Sequence, residues 1–279
     1  MPDPVVALIS PGQMGASVGG RLVARGVTVI TPAGRSAASE ARARSAGLRI
    51  VPETDLASAD FVFSIVPPDQ ALPTAGRVAG LWRGSRAPLY VDWNAVSPGR
   101  SMDIGRIVAQ AGGRYADGGI IGLPGRPEDP GPLLIASGPE AAGLAALADR
   151  GLRFKMLDKP IGAASALKMS YAGLTKGLTA LGATMLLAAT RAGCDDELLE
   201  ELAASQPNML NSLRRSIPDM FGKAERWVPE MHEIAEFVGR DRGESGIYES
   251  FAALYAHLAD DLKGEKTDIG ALARLFPAA

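Results

Sequence analysis

The sequence lacks the residues that build disulfide frameworks and metal sites. Of its 279 residues, one is a cysteine, Cys194, and two are histidines, His232 and His257. A single cysteine cannot form an internal disulfide, and the His, Cys, Asp and Glu residues do not follow the spacing of a metal site. We therefore expect a protein of a reducing compartment without a structural metal.

Strong net charge and long apolar runs are also missing. The formal net charge is −2 and the isoelectric point is near 5.8, so no broad basic field favours a nucleic-acid partner. The longest apolar stretch, around residues 178–189, is too short and interrupted to span a bilayer, and no signal-peptide pattern precedes the first predicted strand. These absences favour a cytoplasmic protein with neither a membrane nor a nucleic-acid partner. The remaining composition, 47% apolar and 22% charged, suits a globular chain of two domains.

A glycine-containing turn near the N-terminus is the most informative motif. The run Ser10-Pro11-Gly12-Gln13-Met14-Gly15 follows the apolar residues 5–9 and precedes a helical stretch at 16–25. This order is typical of the Rossmann fold, in which a pyrophosphate lies at a helix N-terminus. A serine begins the run where the full G-x-G-x-x-G motif has a glycine, but Gly12 leaves room for phosphates and Gly15 lets helix and strand pack closely. The alternative is a plain turn between a strand and a helix.

The second predicted strand, residues 28–31, indicates which dinucleotide binds. An NAD-binding protein places an Asp or Glu near the end of this strand, on the ribose 2′-hydroxyl. The chain has no acid between Asp3 and Glu40, and Arg35 and Ser36 follow the strand instead. Because a guanidinium suits a 2′-phosphate, we expect NADP, with NAD less favoured. Arg35 as a solvated loop residue and Ser36 as a helix cap are compatible interpretations.

Short apolar runs alternate with helical stretches up to residue 160. This pattern predicts an α/β domain over residues 1–160, a Rossmann-type, doubly wound parallel sheet that binds NADP and is covered on both faces. Beyond the two strands above, the predicted strands are 49–51, 61–65, 89–91, 114–116, 133–136 and 154–156, and the helices between them include 37–45, 97–111 and 139–150.

Two loops in this domain are candidates for cofactor contact. Val66, Pro67 and Pro68 follow one predicted strand and Asn94 follows the next. Ligands of open α/β sheets bind outside the carboxyl ends of the strands, although ordinary turn chemistry also uses Pro and Asn. The predicted cofactor contacts are therefore Gly12, Gln13, Met14, Gly15, Arg35, Ser36, Val66, Pro67, Pro68 and Asn94.

Beyond residue 160 the strand pattern ends. We expect an all-α domain over residues 161–279 that binds substrate and forms a homodimer. Residues 163–192 are one long stretch of Ala, Leu, Met and Gly, and a helix of this composition is apolar nearly all round. Such a helix should be buried between the two domains and against a second subunit. Further helices are predicted at 195–204, 208–216, 227–239, 246–263 and 269–275.

A few polar residues interrupt this apolar helix. Lys168 lies among small and apolar residues, Tyr171 and Thr175 fall on its face, and Lys176 lies at the margin of that face. Desolvation lowers the pKa of a lysine ammonium, which suits acid/base chemistry near neutral pH. The alternative is a lysine whose ammonium reaches solvent at the edge of the helix.

The glycine turn and the lysine helix together resemble the β-hydroxyacid dehydrogenases, which include 6-phosphogluconate and 3-hydroxyisobutyrate dehydrogenases. Residues 165–177, SALKMSYAGLTKG, are similar to that family's lysine helix, and more closely to its branch with a short phosphogluconate-dehydrogenase-like C-terminal domain. The resemblance implies that Lys168 exchanges a proton with the substrate oxygen while hydride passes between the nicotinamide and the adjacent carbon. Tyr171 is the second catalytic candidate.

The chain departs from this family where substrate binds. Ala172 stands in place of the usual Asn, and Tyr171 in place of the His of phosphogluconate enzymes. The family's substrate loop corresponds to residues 117–123, DGGIIGL, with Ile121 in place of a serine. These differences argue against phosphogluconate and imply a less polar, bulkier substrate. The substrate contacts implied are Gly119, Ile121, Gly122, Thr175 and Lys176.

We therefore expect an NADP-dependent dehydrogenase or reductase that acts on a small hydroxy acid or on its carbonyl form. Two alternatives stay open: an imine reductase on the same scaffold, and a non-catalytic NADP-binding sensor. Lys168 favours oxygen chemistry, because related imine reductases commonly carry a different residue there. The altered substrate loop favours imine chemistry.

Overall fold

The computed structural model describes residues 3–82, 87–125 and 128–277. The chain divides into two compact units, Met1–Met169 and Ser170–Ala279. The predicted domain boundary, after residue 160, lies at the start of the long helix, whereas the compact units divide within that helix.

The first unit is built on one sheet of eight strands. They are β1 (Val5–Leu8), β2 (Thr28–Pro32), β3 (Arg49–Val51), β4 (Phe61–Ser64), β5 (Leu89–Asp92), β6 (Arg114–Ile121), β7 (Leu133–Ser137) and β8 (Arg153–Met156). Their order across the sheet is β3-β2-β1-β4-β5-β6-β7-β8, and the strands from β3 to β6 are parallel. This order is that of the Rossmann fold, and the predicted fold class is confirmed.

The sheet is not parallel throughout, and that part of the prediction is wrong. Strand β7 pairs antiparallel with β6, and β8 pairs parallel with β7. A parallel return needs a long crossover connection, usually a helix, and the described residues between β6 and β7 form no helix. The pairing with β7 also lengthens β6, so residues 117–121, predicted as a loop, are part of a strand.

Helices and buried side chains cover both faces of this sheet. Leu8 and Phe63 belong to one buried cluster, whereas their chain neighbours Ile9 and Val62 belong to the cluster on the opposite face. This alternation is what a strand buried on both faces requires. The helices of the sheet region are α1 (Gln13–Val23), α2 (Ala37–Ser45), α3 (Pro68–Ala79) and α4 (Pro98–Gln110).

Two local predictions in this unit need correction. Residues 66–69 were expected to be a loop, but Pro68 begins α3, at the first helical position, where proline's missing N–H costs nothing. The stretch predicted as a helix at 139–150 contains only the 3₁₀ helix Ala141–Leu147.

The second unit is all-helical in its described residues. Helix α5 (Ala163–Ala192) has the predicted bounds and continues from the first unit into the second. Trp227 and Tyr255 pack edge to face at 5.3 Å between ring centroids, which joins the helix Ala224–Val238 to the helix Ser245–Lys263. The remaining helices are α6 (Asp195–Ser205), α7 (Pro207–Phe221), α8 (Ala224–Val238), α9 (Ser245–Lys263) and α10 (Thr267–Leu275).

Helix α5 is only partly buried by the rest of the chain, and its predicted burial against a second subunit stays a prediction. One face is packed inside the protein, while large apolar side chains on another face are exposed. Their spacing alternates between four and three residues, which aligns them in one stripe along the helix. The members of this α5 stripe are Leu167, Tyr171, Leu174, Leu178, Leu181 and Met185.

Helix α5 is also the one helix of the described chain that is long and apolar enough to cross a membrane. Its most apolar window is 56% buried within the protein. A core helix passes the same test of length and composition, and packing within the protein already accounts for more than half of this window.

Gly15 joins α1 to β1 at a distance that leaves no room for a side chain. A Cβ at this position would lie 2.1 Å from the Ser10 carbonyl oxygen, whereas a Cβ at Gly12 would meet nothing within 4 Å. We expect Gly15→Ala to lower the free energy of unfolding by ~1–3 kcal/mol, because backbone has to shift. The matched variant Gly12→Ala should stay within ~0.5 kcal/mol of wild type. Denaturant titration measures both, and equal stabilities would contradict the expected close packing.

Candidate active site

The glycine turn places the N-terminus of α1 at the carboxyl end of β1. Gly12 precedes the helix with extended backbone (φ −63°, ψ −176°), and no side chain caps the helix. The first turn contains no acidic residue, and the Ala16 N–H is bonded to the Gly12 carbonyl at 2.8 Å. The N–H groups before Ala16 have no partner within the helix. Together with the open space at Gly12, they fit a bound phosphate.

Arg35 and Ser36 lie beside this turn, just after β2. The Arg35 guanidinium donates to the Ser10 hydroxyl at 3.4 Å. Ser36 accepts from the Ser39 N–H at 3.3 Å and so caps α2, one of the two roles predicted for it. Both Arg35 and Ser36 are exposed and accessible to a ligand.

A pocket of about 220 Å³ lies between Arg35 and the start of α3. It joins Arg35 to Val66 and Pro67, all three predicted cofactor contacts, and adds Arg77 from α3. Sequence reasoning missed Arg77, because the prolines around residues 67–73 concealed the helix that presents it. The other lining residues are Gln70, Pro73 and Thr74.

Arg77 is the second arginine of this pocket, beside Arg35, and we call it the two-arginine pocket. Its guanidinium pairs with Glu53, and the two side chains are 40% and 39% exposed. Partial burial and, secondarily, the charge of Arg35 lower the pKa of Arg77. Two guanidinium groups that share one pocket repel each other, so an anion bound between them would be favoured.

Asn94 joins the loops that follow β4 and β5. It is 3% exposed, and its side-chain carbonyl accepts from the Val66 N–H at 2.6 Å. Its amide donates to the Ser64 hydroxyl at 3.0 Å and to Asp92. These bonds hold Val66 at the edge of the pocket. A direct contact of Asn94 with the cofactor stays a prediction.

Lys168 lies at the same edge of the sheet, against β6. A Cβ added to Gly119 would lie 2.9 Å from the Lys168 Cβ and 3.4 Å from the Ala164 carbonyl oxygen. Glycine therefore lets α5 approach the strand closely, and the half-buried Lys168 starts from this contact. Ile121 ends the strand and Gly122 follows it with a φ of +120°, a conformation that favours glycine. The structure thus brings Lys168 together with Gly119.

The remaining predicted residues on α5 belong to the second unit. Tyr171 is 49% exposed, so the chain itself does not bury the polar stripe at this residue, and its catalytic role stays a prediction. Thr175 is exposed and donates its hydroxyl to the Tyr171 carbonyl at 2.9 Å. Lys176 is largely buried, pairs with Glu230 and lies 5.1 Å from the Trp227 ring centroid. Its predicted role in substrate binding stays a prediction.

Metal-binding groups are absent from the described part of the chain: no three His, Cys, Asp or Glu residues are gathered in a metal-binding arrangement. His232 is exposed and pairs with Glu249 at 2.7 Å, and His257 is exposed and pairs with Asp268 at 2.8 Å. Both histidines therefore lie in surface pairs.

Comparisons with known proteins bear on both units. A family model described as a domain of unknown function (DUF1932) matches residues 189–258, in the helical part. An uncharacterised 28.5 kDa protein of Methanothermus fervidus is 31% identical over 175 residues. This match covers 62% of the chain and 66% of that protein, just under two thirds of its length.

Solved structures match over nearly the whole chain. A conserved protein of unknown function, described as structurally similar to 3-hydroxyacid dehydrogenases, is 28% identical with a TM-score of 0.71, over 99% of this chain and 100% of the other. A 3-hydroxyisobutyrate dehydrogenase from Salmonella typhimurium is 16% identical with a TM-score of 0.73, over 98% and 100%. A variant imine reductase from Myxococcus stipitatus, in complex with NAD⁺, is 19% identical with a TM-score of 0.60, over 99% of both chains.

The chain has the fold of the hydroxyacid dehydrogenase and imine reductase structures to which it is similar. These matches support the predicted resemblance to the β-hydroxyacid dehydrogenases and the predicted class of NAD(P)-dependent dehydrogenases and reductases. Among the solved structures with this fold, one similar protein is in complex with NADP⁺ and the imine reductase is in complex with NAD⁺.

Proposed function

We propose that this protein is an NADP-dependent oxidoreductase that transfers hydride between the nicotinamide and a small hydroxy acid or its carbonyl form. The observation that best supports this function is that Lys168 packs against Gly119 at the carboxyl edge of the sheet. Asp117 pairs with Asp92, the last residue of β5, so Gly119 extends beyond the end of that strand. The glycine turn and the two-arginine pocket belong to the same edge.

The residues at this edge fit the two phosphate-bearing parts of the cofactor. The α1 N-terminus and the open space at Gly12 suit the pyrophosphate. Arg35 and Arg77 suit the 2′-phosphate, with Ser36 beside them. The bound nicotinamide would supply or accept the hydride.

Lys168 is the proposed acid/base group. Its ammonium would donate a proton to the carbonyl oxygen of the substrate during reduction, and its amine would take that proton during oxidation. Glycine at position 119 lets the helix that bears the lysine pack directly on β6. Tyr171, on the next turn, would orient the lysine or the substrate.

An imine substrate is the second candidate. It is favoured by Ile121, which replaces a hydroxyl donor with an apolar side chain at the end of β6, and by the likeness to an imine reductase structure. Oxidation of NADPH with a panel of 2-keto acids, aldehydes and cyclic imines separates the candidates. Turnover of imines alone would replace the proposal with imine reduction. NADPH binding without turnover of any panel member would identify a sensor.

Cofactor choice tests the two-arginine pocket. Each charge-assisted contact to the 2′-phosphate contributes ~1.5–3 kcal/mol, so Arg35→Ala and Arg77→Ala should each weaken NADPH binding by ~10- to 100-fold and leave NADH binding nearly unchanged. Calorimetric titration with both dinucleotides measures this. Arg106→Ala, which removes an exposed arginine of α4, is the control. Equal affinity of the wild type for NADPH and NADH would refute the preference.

The role of Lys168 is tested by Lys168→Met, which keeps the methylene bulk in the packed helix. We expect kcat to fall by ~10²- to 10⁴-fold while NADPH affinity changes little, since general acid/base catalysis supplies that range. Tyr171→Phe should have a smaller effect, and Lys155→Met, which removes an exposed lysine of β8, should have none. A folded Lys168→Met enzyme with near-normal turnover on its best substrate would transfer the role to Tyr171.

We also propose that the protein is a cytoplasmic homodimer whose subunits meet through the α5 stripe. Leu174 is 75% exposed and Leu181 is 51% exposed, and a second copy that packs its own stripe there would cover both. Leu174→Glu with Leu181→Glu should convert a dimer into a monomer in light scattering at micromolar concentration. Ile247→Glu, which charges an exposed apolar position of α9, should leave the dimer intact. A wild-type monomer would contradict the proposal.

A further inference from the structure

A fully buried carboxylate holds the beginning of α5. Asp117 lies in the middle of β6 with no exposed surface, and six donors surround it. One oxygen, Oδ1, accepts from the hydroxyls of Ser101 (2.8 Å) and Ser165. The other, Oδ2, accepts from the Ser137 hydroxyl (2.8 Å) and from the N–H groups of Gly162 (2.9 Å), Ala164 (2.9 Å) and Ser165 (3.1 Å).

Three of these donors are backbone groups at the α5 N-terminus. Such N–H groups have no partner within a helix, and a side chain just before the helix usually satisfies them. Here the cap comes instead from a neighbouring strand, more than 40 residues earlier in the chain. Gly162, with a φ of +97°, makes the turn that brings its own N–H to the carboxylate.

The same strand contacts the helix a second time, at Lys168. Asp117 and Gly119 are two residues apart on β6 and so face the same side of the sheet. Ala164 and Lys168 are four residues apart on α5 and so share one face of the helix. The carboxylate binds the Ala164 N–H, while Gly119 lies against the Ala164 carbonyl and the Lys168 Cβ. The two contacts fix how far along the strand Lys168 stands.

The charge of Asp117 acts in the same place. The N-terminus of a helix is the positive end of its dipole, which disfavours an ammonium in the first turns. Lys168 lies in the second turn of a helix of 30 residues. A carboxylate bound to the first turn opposes that dipole, and its field is strong because the site is buried.

We propose that Asp117 is a positioning residue for Lys168. It sets the start of α5, and its negative charge favours the protonated form of the Lys168 amine. The inference rests on the acid/base role proposed for Lys168. Its test, however, does not need turnover, so the two can fail separately.

The test measures the pH at which Lys168 becomes reactive. The protein is acylated with acetic anhydride over a range of pH, and modification of Lys168 is quantified by peptide mass spectrometry, since only the unprotonated amine reacts. Asp117→Asn is the informative variant: its carbonyl can accept from the backbone N–H groups, and its NH₂ can donate to the hydroxyls of Ser101 and Ser165. It therefore removes the charge and keeps the shape.

We expect Asp117→Asn to move the Lys168 labelling midpoint to lower pH by about one unit, the size expected for the loss of one buried charge within two helical turns. Asp103→Asn, which removes an exposed carboxylate of α4, should not move it. In turnover assays, kcat should fall more than KM rises. A folded Asp117→Asn protein with an unchanged midpoint would overturn the proposal and leave Asp117 a purely structural cap.

A second variant covers the case in which Asp117→Asn does not fold. Ser101→Ala removes one donor but leaves the carboxylate and its backbone donors in place. The labelling midpoint of Lys168 should then stay at its wild-type value, while the melting temperature falls. A midpoint that moves to lower pH in Ser101→Ala would contradict the proposed charge effect.

Discussion

The contact between β6 and α5 is the constraint on which the rest of the site depends. The strand presents a carboxylate to the helix N-terminus and, two residues later, a glycine to the helix surface. A side chain larger than glycine at position 119 would push against the Lys168 Cβ. The carboxylate accepts from three backbone N–H groups at the start of the helix, those of Gly162, Ala164 and Ser165. Helix α5 therefore begins at a defined residue, and Lys168 lies at a defined position relative to β6.

The edge of the sheet proposed to bind the cofactor is built differently, from loops that side-chain hydrogen bonds join to one another. Asn94 spans from one strand end to the next through three side-chain bonds, and Val66 is held by one of them. Arg35 is tied to the glycine turn through Ser10. The loops after β1, β2 and β5 thus each contribute a polar side chain, Ser10, Arg35 and Asn94. The pocket walls come from segments distant in the chain but adjacent in the sheet.

Much of the fold could be predicted from the sequence because its signals are local. The glycine turn, the absence of an acid before residue 40 and the apolar content of 163–192 each depend on residues close together in the chain. The structure adds the features that depend on which strands pair with each other. Strand β6 is lengthened by its antiparallel neighbour, and Asp117 pairs with strands on both sides, with Asp92 of β5 and Ser137 of β7. Arg77 was not predicted as a cofactor contact, because the prolines at the start of α3 and at Pro73 favoured a loop in place of the helix that presents it. The exposure of Tyr171 within the chain could not be predicted, because the sequence alone does not say which face of an apolar helix the rest of the chain covers.

The reversal at β7 has a consequence for the order in which the sheet forms. Most neighbouring strands of this sheet are joined by long connections, and contacts between residues far apart in the chain form slowly. Strand β7 instead pairs antiparallel with β6, the strand that comes directly before it in the chain. We expect this hairpin to be among the earliest persistent structure during folding, as a local element in a sheet of distant pairings. The hairpin contains Asp117, so the carboxylate that binds the N-terminus of α5 would be in place before α5 packs against the sheet.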